Sequence, residues 1–237
     1  MSATVDVRFH RVASGLKLIY TSLILTVLLV VGSFVFGIAL AASGAARNAG
    51  QVGGGQAVVT ENAYFIYTVV AIGLLISALT IIGKVSCLNV PEKVQATGPI
   101  SAAVALTVMA IILSLSQQFA GLPESVGSIA QLLNAGAWFC FLVFLRRLAE
   151  FLGDQVQINR ARSLFKGTII AGVLFVAFGV GLLLATQNVI DPSNTRVLGL
   201  GMIGVSIYGL ILFVRYANLV NGLRKHLARV LVSHTLE

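Results

Sequence analysis

Residues 197–214 read VLGLGMIGVSIYGLILFV. Inside that stretch, 199–204 spell GLGMIG, which satisfies G-x-G-x-x-G, the spacing of a dinucleotide-binding turn. Such a turn needs a strand before it, a helix opening at it, and an acidic residue about 20 positions later for the ribose. The next acidic residue after Gly204 is Glu237, and the flanks are apolar and uncharged. A run of this kind fits a bilayer instead, because about 20 apolar residues cross roughly 30 Å of hydrocarbon. In lipid, helices gain little from hydrophobicity when they meet, so small residues that allow close backbone approach favour association. The sequence therefore assigns Gly199, Gly201, Gly204 and Gly209 to helix packing. Ala177 and Gly181, at small-xxx-small spacing in a neighbouring run, join them. No nucleotide or other cofactor is expected.

The whole chain has the same character. Its 237 residues are 57% hydrophobic and only 10% charged, against about 25% charged in an average soluble domain. The expected fold is all-α, a single polytopic membrane domain over 1–237. Six spans are predicted at about 18–42, 63–83, 99–116, 126–145, 167–187 and 197–214. The fourth is the least apolar, and a buried or re-entrant segment is the alternative there. The first begins with basic residues and holds Ala39-Leu40-Ala41, which looks like a cleavage site. A signal h-region runs only about 7–15 residues, so the longer run reads as a retained signal-anchor helix.

Charge placement sets the threading. With both termini cytoplasmic, the 16 Lys and Arg residues fall on inner segments except for Arg47 and Arg196. Lys/Arg bias sets membrane orientation, so the formal net charge of +8 reflects topology and gives no argument for nucleic acid. A cytoplasmic membrane of bacterial type is the expected location, since the loops are short and no organelle signal is evident.

The spans pair as three hairpins, each entering from and returning to the inside. An outer loop, 43–62, is Gly-rich and reads as flexible. The other outer loops lie near 117–125 and 188–196. The largest inner connection is 146–166. Arg11-x-x-Ser14-x-x-Lys17 before the first span matches Arg160-x-x-Ser163-x-x-Lys166 before the fifth. That match reads either as an old hairpin duplication or as the common need of inward helix ends for basic anchors. Residues 145–156 and the tail 215–237 read as amphipathic extensions. In the first, Arg146 and Glu150 are spaced for an i,i+4 pair. In the second, Leu219, Leu223, Leu227 and Val230 form one side. Arg146, Arg147, Arg215, Arg224, Lys225 and Arg229 are expected to meet anionic lipid headgroups at the inner face.

An ionisable group inside a span is costly and usually functional. None of Asp, Glu, Lys, Arg or His lies within the predicted spans. The polar candidates are neutral: Gln131 and Asn134, three residues apart on one face of the fourth span. They read as the lining of a solute path or as interhelical hydrogen-bonding groups. Gly204-Val205-Ser206 resembles part of a nucleophile elbow but has no histidine within the membrane. No Cys/His cluster has metal-ligand spacing. Cys87 is either an acylation site or a small buried hydrophobe. Tyr64, Tyr67, Tyr20 and Tyr216 suit interfacial belts, and Lys17-x-x-Tyr20-x-x-Leu23 matches a proposed sterol-contact pattern.

These readings give a non-enzymatic multi-pass membrane protein with no catalytic or metal site. Its expected role is a structural or accessory subunit, in a homo-oligomer or with a membrane-protein partner. The alternative is a transporter or channel for a small neutral or weakly polar solute, lined by Gln131 and Asn134. A membrane enzyme would have only Arg146, Glu150 and Asp154 to draw on.

Overall fold

The structure, a computed structural model, describes the backbone of residues 3–48, 55–120, 123–186 and 195–235. Side chains are described over 7–33, 68–117, 125–181 and 197–230, together with Pro123 and Leu184. The described residues form six α-helices and no strand: α1 Ala3–Asn48, α2 Gly55–Cys87, α3 Thr97–Ala120, α4 Glu124–Leu152, α5 Gln155–Thr186 and α6 Thr195–Thr235. All six are long and apolar enough to cross a bilayer. The chain is an all-α multi-pass membrane protein. The fourth segment is a full-length helix, so the re-entrant alternative does not apply.

Every helix outruns its predicted span. At 46 residues, α1 rises about 69 Å, well over twice the hydrocarbon thickness. The flexible loop expected over 43–62 is a correction: α1 continues to Asn48 and α2 resumes at Gly55. The sequence there holds Ala41, Ala42, Ala45 and Ala46, and alanine is the strongest helix former. The inner connection expected over 146–166 shrinks to Gly153 and Asp154. Gly153 closes α4 in the left-handed conformation, φ 69°, its N–H donating to the Glu150 carbonyl. Asp154 opens α5, its Oδ1 accepting from the N–H groups of Val156 and Gln157 at 3.0 and 3.1 Å. Two capping residues thus replace a loop, because together they satisfy orphan backbone groups of both helix ends.

Consecutive helices pack as three hairpins, α1 with α2, α3 with α4 and α5 with α6. Contacts of α1 with α6, α4 with α5 and α2 with α3 close the ring, and the α2–α3 seam is the thinnest of them. The core sits at the basic end of the ring, where Phe9, Val12, Leu16, Ile100, Phe144 and Leu148 are buried. Toward the other end, large apolar residues such as Leu28, Val30, Val176, Leu200 and Ile203 stay exposed, as lipid-facing side chains would. The 3-10 turn Glu92–Val94 links α2 to α3. It ends at Gln95, φ 51°, whose carbonyl accepts from the Arg147 guanidinium of α4.

The basic tail is a further correction. It is the continuation of α6, and Leu219, Leu223 and Leu227 are fully buried. The apolar side that was expected to lie on a leaflet is taken by the protein's own core.

Candidate functional site in the α2–α3–α4 seam

Lys84 falls one residue beyond the end predicted for the second span, but α2 runs on to Cys87. Side chains on a helix lean toward its N-terminus, which for α2 is the end away from the basic core. The stem of Lys84 therefore runs back between the helices. It is only 6% exposed, and its ammonium donates to Thr107 Oγ1 of α3 at 2.8 Å. Thr107 lies about ten residues into α3, roughly 15 Å of rise along an apolar helix. The expectation that no ionisable group enters the spans is overturned. A boundary drawn at the last apolar residue gives no account of which way the next side chain leans.

Lys84 borders a cavity of about 320 Å3 between α2, α3 and α4, lined also by Ser77, Thr80, Thr107, Ser114, Gln131 and Asn134. The seam with the thinnest helix contact is the one that holds it. Both polar residues singled out in the fourth span open onto this cavity. Both are exposed, and neither side chain hydrogen-bonds another described residue.

The hydrogen-bond directions define what the cavity offers. Ser77, Thr107 and Ser114 each donate to a carbonyl of their own helix, those of Gly73, Ala103 and Ala110. A hydroxyl has one donor, so these oxygens are left as acceptors. Thr107 therefore accepts from Lys84, and the ammonium keeps two further N–H groups. The Phe141 ring, centred 5.8 Å from Nζ, adds its face. Free donors on the described lining come from Lys84 and from the carboxamides of Gln131 and Asn134.

No carboxylate among the described residues reaches Lys84. Glu150 pairs with Arg146 at 2.9 Å, Asp154 holds His226 Nδ1 at 3.3 Å, and Glu92 is exposed in the 3-10 turn. This separates the residues a membrane enzyme would have used, because Glu150 and Asp154 take different partners. No group of three or more potential metal ligands occurs among the described residues.

The other predicted residues scatter. Gly201 packs under the Phe178 ring and Gly181 against Leu198, so α5 and α6 do meet through these two. Gly199, Gly204 and Gly209 meet nothing within 4 Å among the described residues, and Ala177 is exposed. Of the six cations expected at the inner surface, Arg146 pairs with Glu150 and Arg147 holds Gln95. Arg224 lies 5.1 Å over the Tyr20 ring and donates to Asn221 at 3.0 Å, which covers one face of the tyrosine in the sterol-contact pattern. Arg215, Lys225 and Arg229 are exposed. Tyr216 is buried against Trp138 and Phe141, so it belongs to the core and not to an interfacial belt. Cys87 is fully buried, which removes it as an acylation site. The side chains of Ala39, Leu40, Ala41, Arg47, Tyr64, Tyr67, Arg196 and His234, and the loop at 188–194, lie outside the described residues.

The sequence reading missed a close backbone approach in the first hairpin. Gly15 of α1 and Gly83 of α2 face each other across the first hairpin. The spacing Gly83-x-x-x-Cys87 was the available signal. Compared with models of protein families, with curated proteins and with solved structures, the chain matches none.

Proposed function

We propose that this membrane protein binds, and passes across the bilayer, a small polar solute that carries a negative or strongly accepting group. One observation supports the reading above others: a buried lysine with a single hydroxyl partner and no carboxylate among the described residues, at the edge of a polar cavity. A cation within a hydrocarbon layer is costly, about 2.5–3.5 kcal/mol at its centre. Such a cost with no counter-ion among the described residues argues for a ligand that supplies one. The volume suits a solute of a few heavy atoms, near the lower limit of ordinary ligand pockets. In this reading Lys84 takes the charged or accepting end of the solute. Gln131 and Asn134 bind its remaining polar atoms, and Thr107 orients the ammonium. The α2–α3 seam, thinly packed, is the element that opens. The basic end lies on the cytoplasmic side by the Lys/Arg bias.

The test is solute entry into liposomes carrying the purified protein, with chloride, formate and acetate as probes. At least one should enter several-fold faster than into protein-free liposomes. Lys84→Met should abolish the increment and Asn134→Leu should reduce it. Entry indistinguishable from protein-free liposomes for all three probes, or unchanged by Lys84→Met, would overturn the reading.

A further inference from the structure

A second polar site lies between α5 and α6 at the basic end, away from the Lys84 seam. It is a groove of about 900 Å3. Arg160 of α5 and Arg215 and Lys225 of α6 line it, with Asn159, Ser163 and Asn218 between them. No acidic residue is among its described lining residues. The described carboxylates nearest in sequence, Glu150 and Asp154, are turned to Arg146 and to His226. The three cations therefore face one groove with no counter-charge among its described lining.

The groove also has a direction. Toward the membrane interior, the same faces continue in exposed apolar residues. On α5 these are Ile170 and Leu174, and on α6 Ile211 and Ile207. Ile170 and Leu174 follow Ser163 by seven and eleven residues, and Ile211 and Ile207 precede Arg215 by four and eight, helical spacings that keep a face. A basic, hydrogen-bonding head thus passes into an apolar strip, which is the complement of an amphiphile.

We propose that this groove binds the phosphate headgroup of an anionic lipid. Arg160 and Arg215 pair with the phosphate oxygens, for which the planar guanidinium is well shaped. Lys225 adds charge. Asn159, Ser163 and Asn218 hydrogen-bond the ester and glycerol oxygens, and the acyl chains run along Ile170, Leu174, Ile207 and Ile211. The inference is independent of the solute cavity and stands or falls without it.

The first hairpin carries a reduced version. Arg11 and Ser14, the motif partners of Arg160 and Ser163, line a groove of about 450 Å3 against Ser86 and Asn89 of α2. There a single cation is present and already donates to Asn89 Oδ1 at 3.4 Å. The paired motif thus occupies equivalent places in two hairpins, and of these two grooves the one in the third hairpin gathers three cations against one.

Native mass spectrometry in mild detergent tests the proposal, with phosphatidylglycerol, phosphatidylcholine and glycerol phosphate as probes. The protein should retain phosphatidylglycerol over phosphatidylcholine. Arg160→Gln with Arg215→Gln should lower that retention at least about tenfold, while the charge-matched pair Arg8→Gln with Arg162→Gln should leave it unchanged. If the double variant is not recovered folded, Arg215→Gln and Lys225→Gln singly should each give part of the loss. Equal losses in both charge-matched pairs would overturn the proposal, as would no preference between the two lipids. Displacement of the lipid by equimolar glycerol phosphate would overturn it in favour of a soluble phosphate.

Discussion

Gly15 and Gly83 hold α1 and α2 together backbone against backbone. A Cβ on Gly15 would lie 2.6 Å from the Gly83 carbonyl oxygen, and one on Gly83 would lie 2.9 Å from the carbonyl oxygen of Gly15. Neither carbonyl can rotate away without breaking its own helix. The contact lies beside Cys87, whose Sγ is within 4 Å of the Val12 carbonyl oxygen, so this end of the hairpin has no slack.

Gly83→Ala is expected to destabilise the protein by about 1–3 kcal/mol, the usual cost of overpacking. Gly73 on the same helix has open space where a Cβ would go. Gly73→Ala should be neutral or stabilising by up to about 1 kcal/mol from helix propensity. Denaturant unfolding in mixed micelles reads both. Equal effects would show that the close approach contributes nothing.

Lys84→Met is expected to raise the thermal midpoint while removing solute passage. Replacing a buried charge by an apolar group of similar size is often neutral or stabilising, by about 1–4 kcal/mol. Thr107→Val should act in the opposite sense, costing about 1–3 kcal/mol, because it leaves the ammonium without its hydroxyl acceptor. A lower midpoint for Lys84→Met would assign the lysine to holding the fold.

Asp154 serves two partners at the α4–α5 turn, the α5 backbone through Oδ1 and His226 through Oδ2. Asp154→Ala should cost about 0.5–2 kcal/mol as a lost helix cap. Asp154→Asn keeps an acceptor oxygen for the backbone and should cost clearly less. If the two substitutions cost the same, the cap is not what Asp154 contributes, and thermal melts of both variants decide this.

Gly153 meets nothing within 4 Å where a Cβ would sit, yet its φ is positive. The whole penalty of a side chain there is conformational. Gly153→Val should cost about 1–2 kcal/mol, and Gly153→Asn less, because asparagine visits the left-handed region more readily. A matched pair of melts is sufficient. Equal midpoints would mean that the turn relaxes to another geometry.

Much of this protein follows from order and composition. Six continuous apolar runs with basic residues at alternate ends point to a polytopic helical membrane protein, because a helix satisfies its backbone within the run, whereas a closed barrel needs strands of about 10 residues with alternating polarity. The pairing of Arg146 with Glu150 is local, one turn apart, and so was legible as well. Gln131 and Asn134 could be placed on one face by their spacing. What they face was not legible, since the cavity is made by residues of α2 and α3 far away in sequence. Lys84 shows the same limit. Sequence puts it at a helix end, where a lysine ordinarily reaches water, and only the packing of α2 against α3 turns it inward to Thr107. The stripe of glycines in α6 was legible as small residues, but which of them meets a neighbour depends on the rotation of the helix. Gly201 lies beneath Phe178, while Gly199 and Gly204 face open space. Local periodicity and charge thus determined that the chain threads the bilayer as six helices. Helix rotation and the choice of neighbours, which are set by non-local packing, decided where a buried cation, two carboxamides and a basic groove come together.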